Sequence, residues 1–223
     1  MIRVRGLAGL AVASALLLTG CGSASGPNPG VAVRVGDTTY STSRVHDTAT
    51  EYCGASLAGQ DGSSAVPNHY ISGYTAGALA LRSAADQMMA KYDVDADASY
   101  DQTIDAAQSQ LAALTDAQAK ALVEVGAASI YVQAAERSVG RVVDSAATDD
   151  DAAQKAGAKV FKAWIADHDV RIDPRYGVTV AGGAVAAADT GVSFAVSDIA
   201  TKAAAESPET TYAGTLPETQ RCG

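Results

Sequence analysis

Three aspartates are spaced like the first ligands of a calcium-binding loop. Asp93, Asp95 and Asp97 stand at alternate positions of the stretch DVDADASYDQTID, as at positions one, three and five of an EF-hand loop. The sixth position holds Ala98 instead of the glycine that the turn needs, and the twelfth holds Ile104 instead of a bidentate glutamate. We therefore expect these acids to cap and solubilise a helix, and we expect no metal site.

No other pattern has the spacing of a catalytic or cofactor-binding motif. The chain contains neither a nucleophile elbow nor a glycine-rich phosphate loop. His46, His69 and His168 are far apart, and each stands near the end of an expected helix, where surface and capping roles are usual. Because catalysis needs a positioned acid, base or nucleophile, we expect a protein that is not an enzyme and uses no cofactor.

Tyrosine and methionine residues form the one candidate binding surface. Tyrosines outnumber phenylalanines nine to two. Amphipathic rings and flexible thioethers suit a surface that accepts varied apolar chains. The same side chains would equally suit a seam between helices, and the sequence leaves both interpretations open. The candidate residues are Tyr70, Tyr74, Met88, Met89, Tyr92 and Tyr100.

The first twenty residues are organised like an export signal. Arg3 and Arg5 precede an apolar run over 7–18 that is too short to span a membrane stably. The run ends in LTGC, which resembles the lipobox of bacterial lipoproteins, where the cysteine is lipidated and becomes the new N-terminus. The resemblance implies that Cys21 carries a lipid anchor, palmitate included, on the outer face of the membrane. An ordinary signal peptide with an incidental cysteine is the alternative.

Removal of residues 1–20 would leave a strongly acidic chain that starts with a flexible tether. Residues 21–30 are rich in Gly, Ser and Pro. Without Arg3 and Arg5 the chain keeps 14 basic residues against 25 acidic ones, a net charge of −11. Such a charge repels nucleic acid, and no basic patch opposes it, so we expect no nucleic-acid partner.

Two further cysteines, Cys53 and Cys222, would remain in the exported chain. An even pair in an oxidising compartment favours a disulfide. This bond would tie the C-terminus to the first helix. A pair of free thiols is the alternative.

Hydrophobic spacing predicts a mainly α protein with a small β closure. The stretch VAVRVGDTTYS at 31–41 predicts two short strands around a Gly36-Asp37 turn, because a glycine-first pair suits a tight hairpin. About five helices are expected to follow. They begin at Ser41 or Ser43, at Pro67, near Tyr100, at Thr115 with Gln118 completing a capping box, and at Thr148.

The fourth of these helices is predicted to be unusually long. Small and apolar residues recur at spacings of three and four from Ala121 to Val142. A helix of about 28 residues from Thr115 would be about 42 Å long. The small side chains imply close approach to a neighbouring helix. Both a projecting arm and a hairpin that folds back are compatible with the pattern.

The stretch VRIDPRYGVTV at 170–180 predicts a returning strand. Val170 and Ile172 alternate with polar residues until Pro174 ends the ladder. A two-stranded hairpin is marginal alone, so we expect this segment to add a third strand and to bring the two chain ends together. In the tail, 181–223, Ser197 is expected to cap a short helix that ends at Ala205, and the remainder is expected to be loop.

The order of these motifs resembles the N-terminal domain of SurA-type chaperones and PrsA-type foldases. VAVRVGDTTYSTSRV is similar to the opening hairpin and first helix of that family, although Gly36-Asp37 replaces the usual Asn-Gly turn. VRIDPRYG resembles the returning strand, with Asp173 at a position that is usually Asn. The two motifs cover both ends of residues 31–177 and enclose a helical insert.

The resemblance implies a chaperone domain over 31–180 that binds unfolded exported polypeptides without ATP. The six tyrosines and methionines named above would then be client-binding residues. The 46 residues after Gly177 are too few for the parvulin domain of these families, so prolyl-isomerase activity is not expected. A scaffold lipoprotein that binds one folded partner is the alternative function, and the sequence leaves the oligomeric state open.

Overall fold

The computed structural model describes residues 30–58, 65–188, 195–203, 207 and 210–223. The predicted signal peptide, the tether to 29 and Cys21 lie outside the described residues. Nine α-helical segments and seven short strands occur in the described part of the chain. The helices are α1 (Thr42–Leu57), α2 (Asn68–Tyr92), α3 (Ser99–Ala106), α4 (Gln108–Leu111), α5 (Asp116–Ala121), α6 (Ala128–Val143), α7 (Asp150–Asp167), α8 (Asp198–Ala203) and α9 (Thr210–Gly214). The strands are β1 (Val31–Val35), β2 (Thr38–Ser41), β3 (Val66–Pro67), β4 (Val170–Ile172), β5 (Val178–Ala181), β6 (Ala184–Ala187) and β7 (Arg221–Cys222). The mainly α class is confirmed, whereas the expected number of about five helices is too low.

The predicted β closure forms as a three-stranded antiparallel sheet in the order β2-β1-β4. Val33 of β1 pairs with Ile172 of β4, and both Val33 and Val35 are fully buried beneath the helices. Gly36 has a φ of +54°, which a glycine-first hairpin turn requires, and its N–H donates to the carbonyl of Asp169. The two distant parts of the chain therefore meet as the sequence indicated.

Helix α2 runs through the core and is buried around most of its circumference. It packs against α1, α6, β1 and the β5–β6 hairpin. Its alanines are small enough for all these elements to approach closely, as dense interior packing requires. The largest fully buried side chains of the protein are Phe161, Leu79, Met88, Val33, Val35, Val45, Val125, Val139 and Thr75.

The prediction of one continuous, long fourth helix is wrong. The capping box of Thr115 and Gln118 does start α5, but the chain passes through a π-helical segment at Leu122–Gly126 before α6 begins. Helix α6 then packs along α7 as a helical hairpin. The chain therefore folds back, and the projecting arm that the sequence also allowed is not formed.

Two other helix boundaries differ from the prediction. The helix expected over 100–114 is divided into α3 and α4, which meet at Ala107. Helix α7 is capped by Asp149 instead of Thr148, and the Asp149 carboxylate accepts a 2.8 Å hydrogen bond from the N–H of Ala152. The first difference is a break inside the expected helix, and the second is a shift by one residue at a helix end, which periodicity locates least well.

The tail contains more structure than the predicted loop. Strands β5 and β6 form an antiparallel hairpin that spans residue 180, and Gly182 and Gly183 at its turn both have positive φ. The predicted cap is present, because the Ser197 hydroxyl accepts a hydrogen bond from the N–H of Ala200 at the start of α8. Within the described residues, no helix is long and apolar enough to cross a bilayer.

A disulfide between Cys53 and Cys222 joins α1 to the C-terminus, with the two Cα atoms 5.8 Å apart. Beside it, Val66 of β3 pairs with Cys222 of β7. The buried cysteine packs with Ala49 and Ile71 in a small apolar cluster. This end of the chain is thereby tied to the entrance of α2.

Candidate functional site

Two of the predicted tyrosines lie in one groove, which we call the tyrosine groove. Tyr70 and Tyr74 are one turn apart on α2, so their rings project from the same face. The β5–β6 hairpin and the short turn before it form the opposite wall. The groove has a volume of about 350 Å³. Its lining consists of His69, Tyr70, Gly73, Tyr74, Tyr176, Gly177, Val178, Val185, Ala186, Ala187 and Ala203.

Two glycines on α2 allow the hairpin to lie close to the helix. A Cβ atom on Gly73 would lie 2.5 Å from the carbonyl oxygen of Tyr176. A Cβ atom on Gly77 would lie 2.5 Å from the side chain of Val185. Both distances are shorter than any allowed contact, so these two positions fix how deeply the hairpin sits and how wide the groove is.

The tyrosines of the groove combine apolar ring faces with hydroxyl groups. Burial raises the pKa of the Tyr74 hydroxyl, and the nearby Tyr52 and Tyr70 raise it further. Burial also raises the pKa of Tyr176. These hydroxyls therefore stay protonated at neutral pH and are able to donate hydrogen bonds. The ring of Tyr74 also stacks on Tyr52, with centroids 6.0 Å apart, which holds it in place.

Among the described residues, strand β6 has one edge without a partner strand. In the described residues it pairs with β5 alone, through registers such as Thr179 with Ala186. An unpaired edge presents backbone N–H and C=O groups that another extended chain is able to pair with. Because Val185, Ala186 and Ala187 also line the tyrosine groove, this edge and the apolar surface are adjacent.

The other four predicted residues lie elsewhere. Met88 and Met89 are 0% and 5% exposed in the core, as the seam interpretation expects. Tyr92 is half-buried at the far end of α2. Tyr100 is buried, and its ring meets Tyr131 edge to face at 4.9 Å. These side chains therefore do not extend the groove.

In the aspartate stretch at 93–97, Asp97 links the start of α3 to α6. Asp97 accepts a hydrogen bond from the N–H of Ser99 at the start of α3 and forms a 2.5 Å ion pair with Arg141. Burial alone would raise the pKa of Asp97, but the hydrogen bonds from Ser99 and Arg141 outweigh burial and lower it to about 2. In the described part of the chain, no three His, Cys, Asp or Glu side chains converge as a metal site.

The histidines are separate, as their sequence positions indicated. His168 caps α7, with its Nδ1 2.7 Å from the carbonyl oxygen of Trp164, and its ring stacks on the Trp164 indole at 3.8 Å. His69 lies at the rim of the tyrosine groove, and His46 borders a different surface depression.

The sequence did not single out one buried ionisable residue, Glu136. Glu136 is buried on α6, four residues after Val132 on the apolar seam. A glutamate at that spacing stands at the border of the apolar face, and this was the signal that could have revealed it. Burial raises the pKa of its carboxyl to about 7, although the charge of Arg137 opposes the shift.

No protein-family model, curated protein or solved structure matches this chain.

Proposed function

We propose that this protein is a chaperone-type lipoprotein that binds unfolded exported polypeptides without ATP and without prolyl-isomerase activity. The observation that carries the proposal is the tyrosine groove beside the unpaired edge of β6. Such a surface is able to hold an extended chain through backbone pairing and through apolar side chains at alternate positions.

The residues of the groove suit a partner of varied sequence. Tyr70, Tyr74 and Tyr176 are half-buried, so each exposes part of a ring while the rest is held by the fold. Rigid aromatic rings bind apolar side chains with little loss of conformational entropy, and their hydroxyls tolerate polar neighbours. Backbone pairing at an edge is independent of sequence, which is what a client-binding protein needs.

The location follows from the proposed lipidation of Cys21. A lipid anchor and the tether of residues 21–30 would hold the folded domain close to the outer face of the membrane, where exported chains emerge. The resemblance of the opening hairpin and of the returning strand to SurA-type and PrsA-type domains supports the same function. The pairing of β1 with β4 agrees with the topology that this resemblance implies.

The proposal is tested by aggregation of a reduced, unfolded secreted protein. We expect a few-fold molar excess of the chain from Gly22 onward to slow aggregation without ATP. Replacing both Tyr70 and Tyr74 with Ser should remove most of this effect while the circular dichroism spectrum stays unchanged. An equally acidic inert protein serves as the control for charge.

Tyr92→Ser is the matched control variant. Tyr92 lies on the same helix but about 33 Å from Tyr70, given a rise of 1.5 Å per residue. We expect this variant to suppress aggregation like the parent chain. Equal activity of the double variant would exclude the groove as the binding surface. Absence of any effect across several clients would instead favour the scaffold alternative, in which one folded partner binds stoichiometrically.

A further inference from the structure

A second cavity lies on the other side of the β5–β6 hairpin, between α2, α6 and α7. Its volume is about 370 Å³, within the range of small-molecule sites. The floor is formed by buried residues of α2 and α6, and the rim by exposed polar residues such as Ser129 and Gln133. The lining residues are Tyr74, Ala78, Leu81, Ala128, Ser129, Val132, Gln133, Glu136, Gln154, Gly183, Ala184 and Val185.

The cavity is lined by a buried glutamate that has no hydrogen-bond partner among the described residues. Glu136 is 8% exposed and is the one charged residue among the buried side chains of the described chain. It forms no hydrogen bond and no ion pair with any residue that the structure describes. A carboxylate in such a place is less hydrated than it is in water, and an opposite charge or a donor group compensates for that loss.

The neighbouring arginine does not fill this role. Arg137 directs one guanidinium nitrogen to the hydroxyl of Ser99 at 2.6 Å and another to the side-chain oxygen of Gln154 at 3.4 Å. Its charge acts on Glu136 at longer range, but the two side chains form no salt bridge. The carboxyl group of Glu136 is therefore free to bind a group that enters from solvent.

The backbone of Glu136 lies directly against α7. A Cβ atom on Gly157 of α7 would clash with the carbonyl oxygen of Glu136, so the two helices touch at this residue. The contact covers the backbone of Glu136 on the side of α7, and the residue lines the cavity. Leu81, Val132 and Val185 contribute apolar surface to the same cavity.

We propose that this cavity is a binding site for a small organic ammonium ion with an apolar body. The ammonium group would donate hydrogen bonds to the Glu136 carboxylate, and the apolar part would lie against Leu81, Val132 and Val185. Gln133 and Gln154 offer further polar contacts at the rim. A divalent metal is a poorer fit, because calcium takes six to eight oxygen ligands and the cavity supplies one carboxylate. The net charge of −11 after signal removal also attracts cations.

The test is titration of the purified full-length protein at pH 8 with 2-phenylethylammonium and with its neutral analogue 2-phenylethanol. We expect the ammonium ion to bind with a stoichiometry of one to one and about tenfold more tightly than the alcohol. The reason is that only the ammonium ion forms a charge-assisted hydrogen bond with Glu136. Glu136→Gln should lower the affinity for the ammonium ion about tenfold and leave the affinity for the alcohol unchanged. Glu218→Gln, at an exposed position, is the matched control and should change neither affinity.

A second variant covers the case in which Glu136→Gln disturbs the fold. Ser129→Trp places a large ring at the exposed rim, and it should abolish binding of both probes. Equal affinity for the ammonium ion and the alcohol would overturn the proposal, as would ammonium binding that survives Ser129→Trp. Absence of ammonium binding at millimolar concentration to the parent protein would overturn it as well. None of these variants alters Tyr70 or Tyr74, so the outcome is separate from that of the aggregation assay.

Discussion

Gly140 of α6 and Gly157 of α7 face each other where the two helices of the hairpin meet. A Cβ atom on Gly140 would lie 3.0 Å from the backbone nitrogen of Gly157 and still closer to the carbonyl oxygen of Ala153. A Cβ atom on Gly157 would clash with the carbonyl oxygen of Glu136. All these neighbours are backbone atoms, which cannot swing aside as the end of a side chain would. The glycine pair therefore sets the distance between the helices.

Gly157→Ala should destabilise the protein although alanine is the better helix former. The methyl group would force α7 away from α6, and overpacking of this kind costs about 1–3 kcal/mol or more. This outweighs the gain of about 1 kcal/mol that alanine has over glycine in a helix. Urea unfolding of the parent and the variant measures the difference.

Gly214→Ala is the control for that experiment. Gly214 lies at the end of α9, and a Cβ atom there would have no atom within 4 Å. We expect the stability of this variant to match or slightly exceed that of the parent. If Gly157→Ala were as stable as the parent, α6 and α7 could not be packed as closely as in this structure.

The Cys53–Cys222 disulfide should contribute substantially to stability. It closes a loop with a sequence separation of 169 residues, and loss of a native disulfide typically costs about 2–5 kcal/mol. We expect a reducing agent to lower the melting temperature of the parent. The variant with both cysteines replaced by Ser should melt at the lowered temperature and should not respond to the reducing agent. A response in the double variant would mean that the reagent acts by another route.

The parts of the fold that the sequence predicted are those with strong local signals. The β closure followed from alternation and from Pro174, the start of α5 from its capping box, and the disulfide from the even number of cysteines left after the expected signal peptide and Cys21. Each of these depends on a few neighbouring residues or on a simple pairing argument. Their physical causes are therefore visible without the tertiary structure.

The features that the sequence analysis missed have two kinds of cause. The π-helical segment at Leu122–Gly126 is hidden because Val125 remains buried in step with the helical pattern, so periodicity does not register the wider turn. The β5–β6 hairpin did have a signal, since Gly182-Gly183 between short apolar strands is a turn pair that favours hairpins. For Met88 and Tyr100 the sequence left a surface and an interhelical seam both open, and tertiary packing decided for burial.

The ion pair of Asp97 and Arg141 should stabilise the protein near neutral pH and lose its effect in acid. The pKa of Asp97 is about 2 in the folded protein, below its ordinary value of 3.8. The unfolded chain therefore takes up a proton first as the pH falls, and the stabilisation declines from about pH 4 to pH 2. Since Arg141 is substantially exposed, we expect Asp97→Asn to cost only about 1 kcal/mol at pH 7.

The measurement for Asp97 is urea unfolding of the parent and the Asn variant at pH 7 and pH 2.5. The difference in unfolding free energy should shrink at the lower pH. Asp101→Asn, an exposed change in the first turn of α3, is the control. A difference that stays constant with pH would show that the Asn variant acts through lost packing and not through the charge.

Glu136 should have the opposite effect to Asp97 on the pH dependence of stability, because burial raises the pKa of its carboxyl from about 4.5 to about 7. Below pH 4.5 the carboxyl is protonated in both states and has no effect on the pH dependence. Between pH 4.5 and 7 the unfolded chain ionises first, so the folded protein binds more protons and its stability falls as the pH rises. Above pH 7 the loss of stability is complete, on the order of 3 kcal/mol. Arg137 is the charged neighbour that limits the shift.

Glu136→Gln removes this titration and should therefore make the protein more stable than the parent at pH 8 but not at pH 4.5. Urea unfolding at both pH values, with the disulfide intact, measures the effect. Glu218→Gln should follow the parent at both pH values because its side chain is exposed. Parallel stability profiles for the parent and Glu136→Gln would contradict a buried, unpaired carboxyl at this position. They would also remove the electrostatic reason for an ammonium ion to bind in the cavity, since a solvated carboxylate gains little from a new partner.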